Sequence, residues 1–452
     1  MKLPISKRSL FFLIVVFLSL GTGFPAQSSE PAKGPEIITL DQALQIAMEK
    51  NKDIQKAREY QKQVEGRYVE ERAAALPQLV LQGNFSRSRD ESMKAFGPVY
   101  PLEQEVLSGG IGVSQVLYSF GQVGAAIRAA KVGLKTADDQ LLLYQQAALK
   151  DVSSAFYDAL LSKELSVLAR QNLAQKIRHQ DEARKKFAAG TATEYDMLAA
   201  DVAVENARPE VIRTDNLIRI TRDRLRFLLG LERREVEVQG TLLSPLASVP
   251  SFEECLDLAW KNRPELSAIK HRIGMSEELV KIYKAMNKPR LDLKAGYGWK
   301  QLDILTSKGE GPTWSAGVFL TFPFFDGMRT QGRVAQAKSE VASLKIEEAK
   351  LLDAIVLQTR EAINAVRESG EIVKGLSGTV AQAEKLLSMA EKGYEFGVKT
   401  KLDVDDAELN LMLAQSNLTK ARRDHLTAQA NLQWVMGVIK AQAGTLSTTA
   451  DR

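Results

Sequence analysis

One cysteine in 452 residues, Cys255, rules out an intrachain disulfide. It sits in a helical apolar pattern with Phe252, Leu256 and Ala259, which predicts a buried structural thiol. Histidine is nearly as scarce. His179, His271 and His425 show no HExxH or metal-ligand spacing, and the sequence predicts each as an exposed helix residue. A Gly-rich phosphate loop and a nucleophile elbow are both missing, which argues against an enzyme and against a bound cofactor or metal. After residue 20 no apolar run approaches eighteen residues, so contact with a membrane must be made by strands. Glycine and proline are absent from Leu134 to Ala189, where Ala, Leu, Gln, Lys and Glu dominate. A single helix starting near Gln122 is the simplest reading, and at 1.5 Å per residue it extends roughly 100 Å.

The chain opens with Lys2, Lys7 and Arg8, an apolar run from Ser9 to Leu20, and a small-residue stretch ending at Ser29. That layout predicts a secretory signal peptide over residues 1–28, followed by a short linker, 29–37. Its loss takes the formal charge of +5 to about +2, a balance that does not fit a nucleic-acid partner. No cysteine follows the run to accept a lipid anchor.

The remainder is one unit written twice, residues 38–230 and 250–437, joined by a linker, 231–249. Leu40, Ala43, Leu44 and Ala47 reappear as Phe252, Cys255, Leu256 and Ala259 at an offset of 212, and from Ile111 onward the offset is 207. Each unit reads helix, strand pair, long helix, tip, helix. The first helices are expected over Asp41 to Leu76 and Phe252 to Lys288, with a break at Pro264 in the second copy only. Strands are expected near 78–89, 106–118, 290–301 and 313–323 from period-two alternation. Leu291, Leu293, Ala295, Tyr297 and Trp299 share one face, opposite Asp292, Lys294, Gly296, Gly298 and Lys300. Polar loops, Ser86 to Gly109 and Gln301 to Pro312, join the strands of each pair. A kink or a mid-length girdle is expected at Pro209 and at Gly370, Gly375 and Gly378, and a disordered tail over 438–452.

Strands with one apolar and one hydrophilic face suit the wall of a water-filled barrel in lipid. Four strands cannot close one, and an open edge in lipid leaves backbone groups unsatisfied, so several copies must share it. A soluble periplasmic adaptor or scaffold built on helical hairpins is the main alternative, and it needs no lipid-facing strand.

The two tips repeat at the offset of 207: Gly190-x-x-Thr193-x-x-Asp196 and Gly397-x-x-Thr400-x-x-Asp403. In each, a glycine ends one helix and a Thr-x-x-Asp capping box starts the next. The signal peptide, the duplicated helix-strand-strand-helix plan and these paired tips together resemble the TolC-like outer-membrane efflux protein family, over Ile38 to Gly437. The resemblance implies a mainly α fold with membrane β: a homotrimer with a twelve-stranded outer-membrane barrel continued by a periplasmic α-helical barrel. It further implies an exit duct for efflux or type I secretion, met at its tips by a periplasmic adaptor linked to an inner-membrane pump. The pattern assigns Asp403 and Asp406 to a pore gate, and Tyr394, Lys399 and Asp196 to a latch. Gly190, Thr193, Gly397 and Thr400 mark the adaptor-docking tips. Lys399 stands where an arginine is expected, which removes bidentate pairing. Repeat asymmetry agrees with a gate in the second copy, because the first has Ala199 and Ala192 where the second has Asp406 and Lys399.

Overall fold

The computed structural model describes residues 36–96, 103–231, 235–243, 249–304 and 307–440; the predicted signal peptide and the tail from 441 lie outside them. The order is β1 (Glu36–Ile38), α1 (Leu40–Lys50), α2 (Lys52–Ala73), β2 (Gln78–Arg89), β3 (Glu103–Tyr118), α3 (Gln122–Ala188) and α4 (Glu194–Leu229). There follow β4 (Val236–Val238), α5 (Phe252–Asn262), α6 (Pro264–Ala285), β5 (Arg290–Ile304), β6 (Ser307–Thr321), α7 (Arg329–Glu395) and α8 (Lys401–Val435).

Two unbroken helices of 67 residues, α3 and α7, set the length of the molecule. Each is too long to bury its apolar stripe against itself, so shorter helices cover it. On α3 the tip half packs against α4 and the other half against α2 and α6; α7 packs against α8, α6 and α5. Pro209 and the glycines of α7 do not interrupt their helices.

The break expected only at Pro264 occurs in both copies. In the first, Asn51 ends α1 and caps α2, its side-chain oxygen accepting from the Asp53 and Ile54 amides. The Asn51 amide also donates to the Leu228 carbonyl at 2.7 Å, joining α2 to the last turn of α4. Its counterpart Arg263 is buried and bonds Glu265 and Gln358, with its guanidinium 5.3 Å from the Trp434 ring. Gly230 and Gly437 turn the chain here at φ 68° in both cases. A Cβ on Gly230 would lie 2.1 Å from the Lys50 carbonyl oxygen, and one on Gly437 would lie 2.8 Å from the backbone of Asn262. Only glycine fits either position.

The largest core forms at mid-length. Phe156, Val152 and Leu160 of α3 meet Leu225 and Leu229 of α4, α1, and the parallel pair β1–β4. Within the inter-repeat segment Val236, Val238 and Leu242 are buried in this core. Ile439 joins the same core, so the ordered chain extends beyond 437. Cys255 is fully buried against Ile363 and Val366 of α7.

The strands form one antiparallel sheet in the order β2-β3-β5-β6. They outrun the expected loops: β3 begins at Glu103, β5 continues to Ile304, and β6 begins at Ser307, because Gln301 to Ile304 pair with Glu310 to Ser307. Register places Leu81, Ile111, Tyr297 and Trp314 in one cross-strand row and Leu79, Val113, Ala295 and Ala316 in another. This face is bare. Leu81 is 81% exposed, Trp314 78% and Tyr297 68%. The other face carries Gln82, Gly112, Gly296 and Lys294, and the outer edges of β2 and β6 have no partner strand among the described residues. Among those residues, no helix is long and apolar enough to cross a membrane.

Candidate functional site

The two tips are built alike. Gly190 and Gly397 take φ of 74° and 73°, a left-handed backbone that lets the Thr191 amide bond the Lys186 carbonyl and the Val398 amide that of Gly393. Thr193 Oγ1 then accepts from the Asp196 amide at 3.2 Å while Asp196 Oδ2 accepts from the Thr193 amide at 2.9 Å. Thr400 and Asp403 repeat the exchange at 3.2 and 2.8 Å. Each box satisfies two helix-end amides that would otherwise lack partners. Gly190, Thr193, Gly397 and Thr400 are all exposed at the ends of their hairpins, with Tyr195, Phe396, Val398 and Leu402 beside them.

The capping duty fixes the charge of the aspartates. Hydrogen bonds from the Thr193 hydroxyl and amide hold Asp196 below the usual carboxylate range. For Asp403 the Thr400 amide and hydroxyl do the same, helped by Lys399, whose Nζ lies 3.3 Å from Asp403 Oδ1. The Lys399 stem lies over Gly393, where a Cβ would come within 2.6 Å of its Cγ. Asp406, one turn further along α8, is exposed and has no ion-pair partner among the described residues.

Within one chain the three latch residues do not meet. Asp196 bonds Thr193 and Lys399 bonds Asp403, while Tyr394 reaches the first repeat through Lys186, whose Nζ is 3.4 Å from the phenol oxygen and 5.5 Å from the ring centre.

Two turns above the tips, α3 and α8 meet at a cluster that the sequence reading did not find. Glu408 is buried, at 7% exposure. Its carboxylate accepts from Gln175, from Lys176 at 2.8 Å, and lies 3.3 Å from His179 Nε2. Asp405 lies 3.4 Å from Lys176 Nζ and 3.5 Å from Lys401 Nζ. Lys401 donates to His179 Nδ1 at 2.8 Å. The imidazole is therefore the neutral Nε2–H tautomer, accepting from Lys401 at Nδ1 with its Nε2 side turned toward Glu408. Burial pushes its pKa down, and Lys401 and Lys176 act in the same sense. Burial also works against the charge of Lys176, but its bonds to Glu408 and Asp405 outweigh that and raise its pKa.

None of the histidines is the exposed residue expected. His271 Nδ1 lies 2.6 Å from Asp139, and His425 is only 4% exposed, between Ser369 and Gln429. The signal was present, since Lys176 and His179 are three apart and so are Asp405 and Glu408. Helix pairing, which single-helix periodicity does not supply, was needed to read it.

A bare apolar sheet face above two capped hairpins is the plan of a known family, and a sequence model described as outer membrane efflux protein matches residues 43–231 and 255–438. The chain belongs to the outer membrane efflux protein family. Outer membrane protein TolC of Vibrio cholerae is 23% identical over 376 residues, covering 82% of this chain and 84% of TolC. Alkaline protease secretion protein AprF of Pseudomonas aeruginosa is 27% identical over 379 residues, covering 81% and 78%. The crystal structure of the CmeC outer membrane channel of Campylobacter jejuni superposes with a TM-score of 0.77 at 15% identity, covering 88% of this chain and 85% of CmeC. Membership makes the chain a channel protein of the outer membrane that extends into the periplasm, an exit duct for efflux or secretion and not an enzyme.

Proposed function

We propose that three copies of this chain form a passive outer-membrane duct, gated at its periplasmic tips, that receives cargo from an inner-membrane pump through a periplasmic adaptor. The four-stranded sheet carries this reading: its apolar face is bare and both outer edges are open, which one chain alone cannot sustain in lipid. Three such sheets joined β6 to β2 make a closed twelve-stranded wall with Lys294, Gln82 and the glycines lining water. The rival soluble adaptor leaves that face without a purpose.

Asp403 and Asp406 form the gate. Six carboxylates around a narrow axis attract cations and hinder anions. Tyr394, with Lys186, holds the second-repeat hairpin against the first, while Lys399 pairs with Asp403 inside its own tip. Across a subunit boundary Asp196 is the latch's remaining acceptor. The exposed tips about Gly190, Thr193, Gly397 and Thr400, rimmed by apolar side chains, are the adaptor's docking points.

The purified chain is expected to run as a trimer that heat dissociates. In planar bilayers Asp403→Ala combined with Asp406→Ala should raise conductance several-fold or abolish block by multivalent cations. A water-soluble monomer would remove the duct, and unchanged conductance and block would remove the gate.

A further inference from the structure

We propose that His179 is a proton-operated release for the clasp between α3 and α8, loosening the start of α8 when the surroundings become acidic. The effect of this release on conductance rests on the gate reading above; the release itself does not.

The clasp is nearly closed in charge: Lys176 and Lys401 face Asp405 and Glu408 around a neutral ring. The residues offer three metal-ligating atoms within 4.8 Å of one another, but the Lys176 ammonium already bridges the two carboxylates, so the positive charge is supplied by the chain itself. What the cluster lacks is room for one more proton. The charged groups against His179 are Lys176 from its own helix and Lys401, Asp405 and Glu408 from α8. Asp201 of α4 is engaged by Gln180 and Arg184 instead.

Protonation at Nδ1 removes the lone pair that accepts Lys401 and sets an imidazolium 2.8 Å from an ammonium. Lys401 must leave. Asp405, 3.8 Å from Nδ1, takes its place, while Glu408 stays 3.3 Å from Nε2. Lys401 is the first residue of α8, so its departure loosens the first turn, which carries Asp403, while Asp405 and Glu408 stay tied to α3.

The repeat supplies a built-in contrast. At the offset of 207, Lys176 and His179 correspond to Ala383 and Leu386, and Lys401, Asp405 and Glu408 to Glu194, Leu198 and Asp201. The seam equivalent to the clasp is thus largely apolar, and Leu198 and Leu386 are exposed in the single chain. Only one of the two seams responds to a proton.

Because the folded pKa of His179 lies below its ordinary value of 6.5, the clasped form is fully stable above about pH 6.5 and loses stability as pH falls below it. Hydrogen exchange of residues 400–408 in the detergent-solubilised full chain, corrected for chemical rates and referenced to 193–201, tests this between pH 7.5 and 5.5. Protection should fall in the wild type by at most about tenfold, the ceiling set by going one pH unit below the ordinary imidazole value; it should stay flat in His179→Gln and fall less in Lys401→Met, which keeps the burial of the ring. An acid response of wild-type size in both variants, or none in the wild type, overturns the release. If exchange responds while wild-type conductance is the same at both pH values, the clasp stands and the gate reading falls.

Discussion

At the scale of single residues, identical roles recur at an offset of 207 or 212, and the recurrence separates strain from contact. Gly190 and Gly230 both have positive φ, but nothing lies within 4 Å of a Cβ at Gly190, whereas one at Gly230 strikes the Lys50 carbonyl. Gly190→Ala should cost only the left-handed strain, roughly 1–2 kcal/mol. Gly230→Ala should cost clearly more, because the α1–α2 joint must also shift, and thermal melting of the two variants measures the difference. Asp403 adds a pH dependence of its own. Its folded pKa is depressed, so its capping contribution is complete above the ordinary carboxylate range and is lost as pH falls through the depressed value. Exchange at the second tip should therefore weaken in two acid steps, the upper set by His179 and the lower by Asp403; Asp403→Asn should abolish only the lower. The caps and turn glycines were legible in sequence because they act on neighbours three or four residues away. Asn51 and His179 were not, since their partners Leu228 and Glu408 are far off in the chain and only helix pairing brings them close.

Among the elements, the helix ends at the tips were read almost to the residue because glycine and capping boxes mark them, whereas the break at Asn51 was missed and the first helices end three residues early. Strand faces were read equally well, for period two needs no partner. Strand ends were not: Gly309, Gly311 and Pro312 look like a loop, yet β6 runs through them because β5 offers a continuous ladder. Pro312 is tolerated there on a strand with an open edge. The faces make a sharp prediction. Leu81→Lys puts a charge on the bare apolar side and should lower folding stability in bilayers by up to about 2–4 kcal/mol. Gln82→Lys, one residue on, points to the water side and should change stability little; urea titration of the chain folded into vesicles compares them.

For the molecule as a whole, the mid-length core has a practical result. Described chain enters at β1 and leaves just past Ile439, and both lie against the same part of α3, whose centre is near Ala155. Each is then about 50 Å from either end of that helix. A reporter protein fused after Lys440 would therefore hang at half-height, as far from the sheet as from the tips.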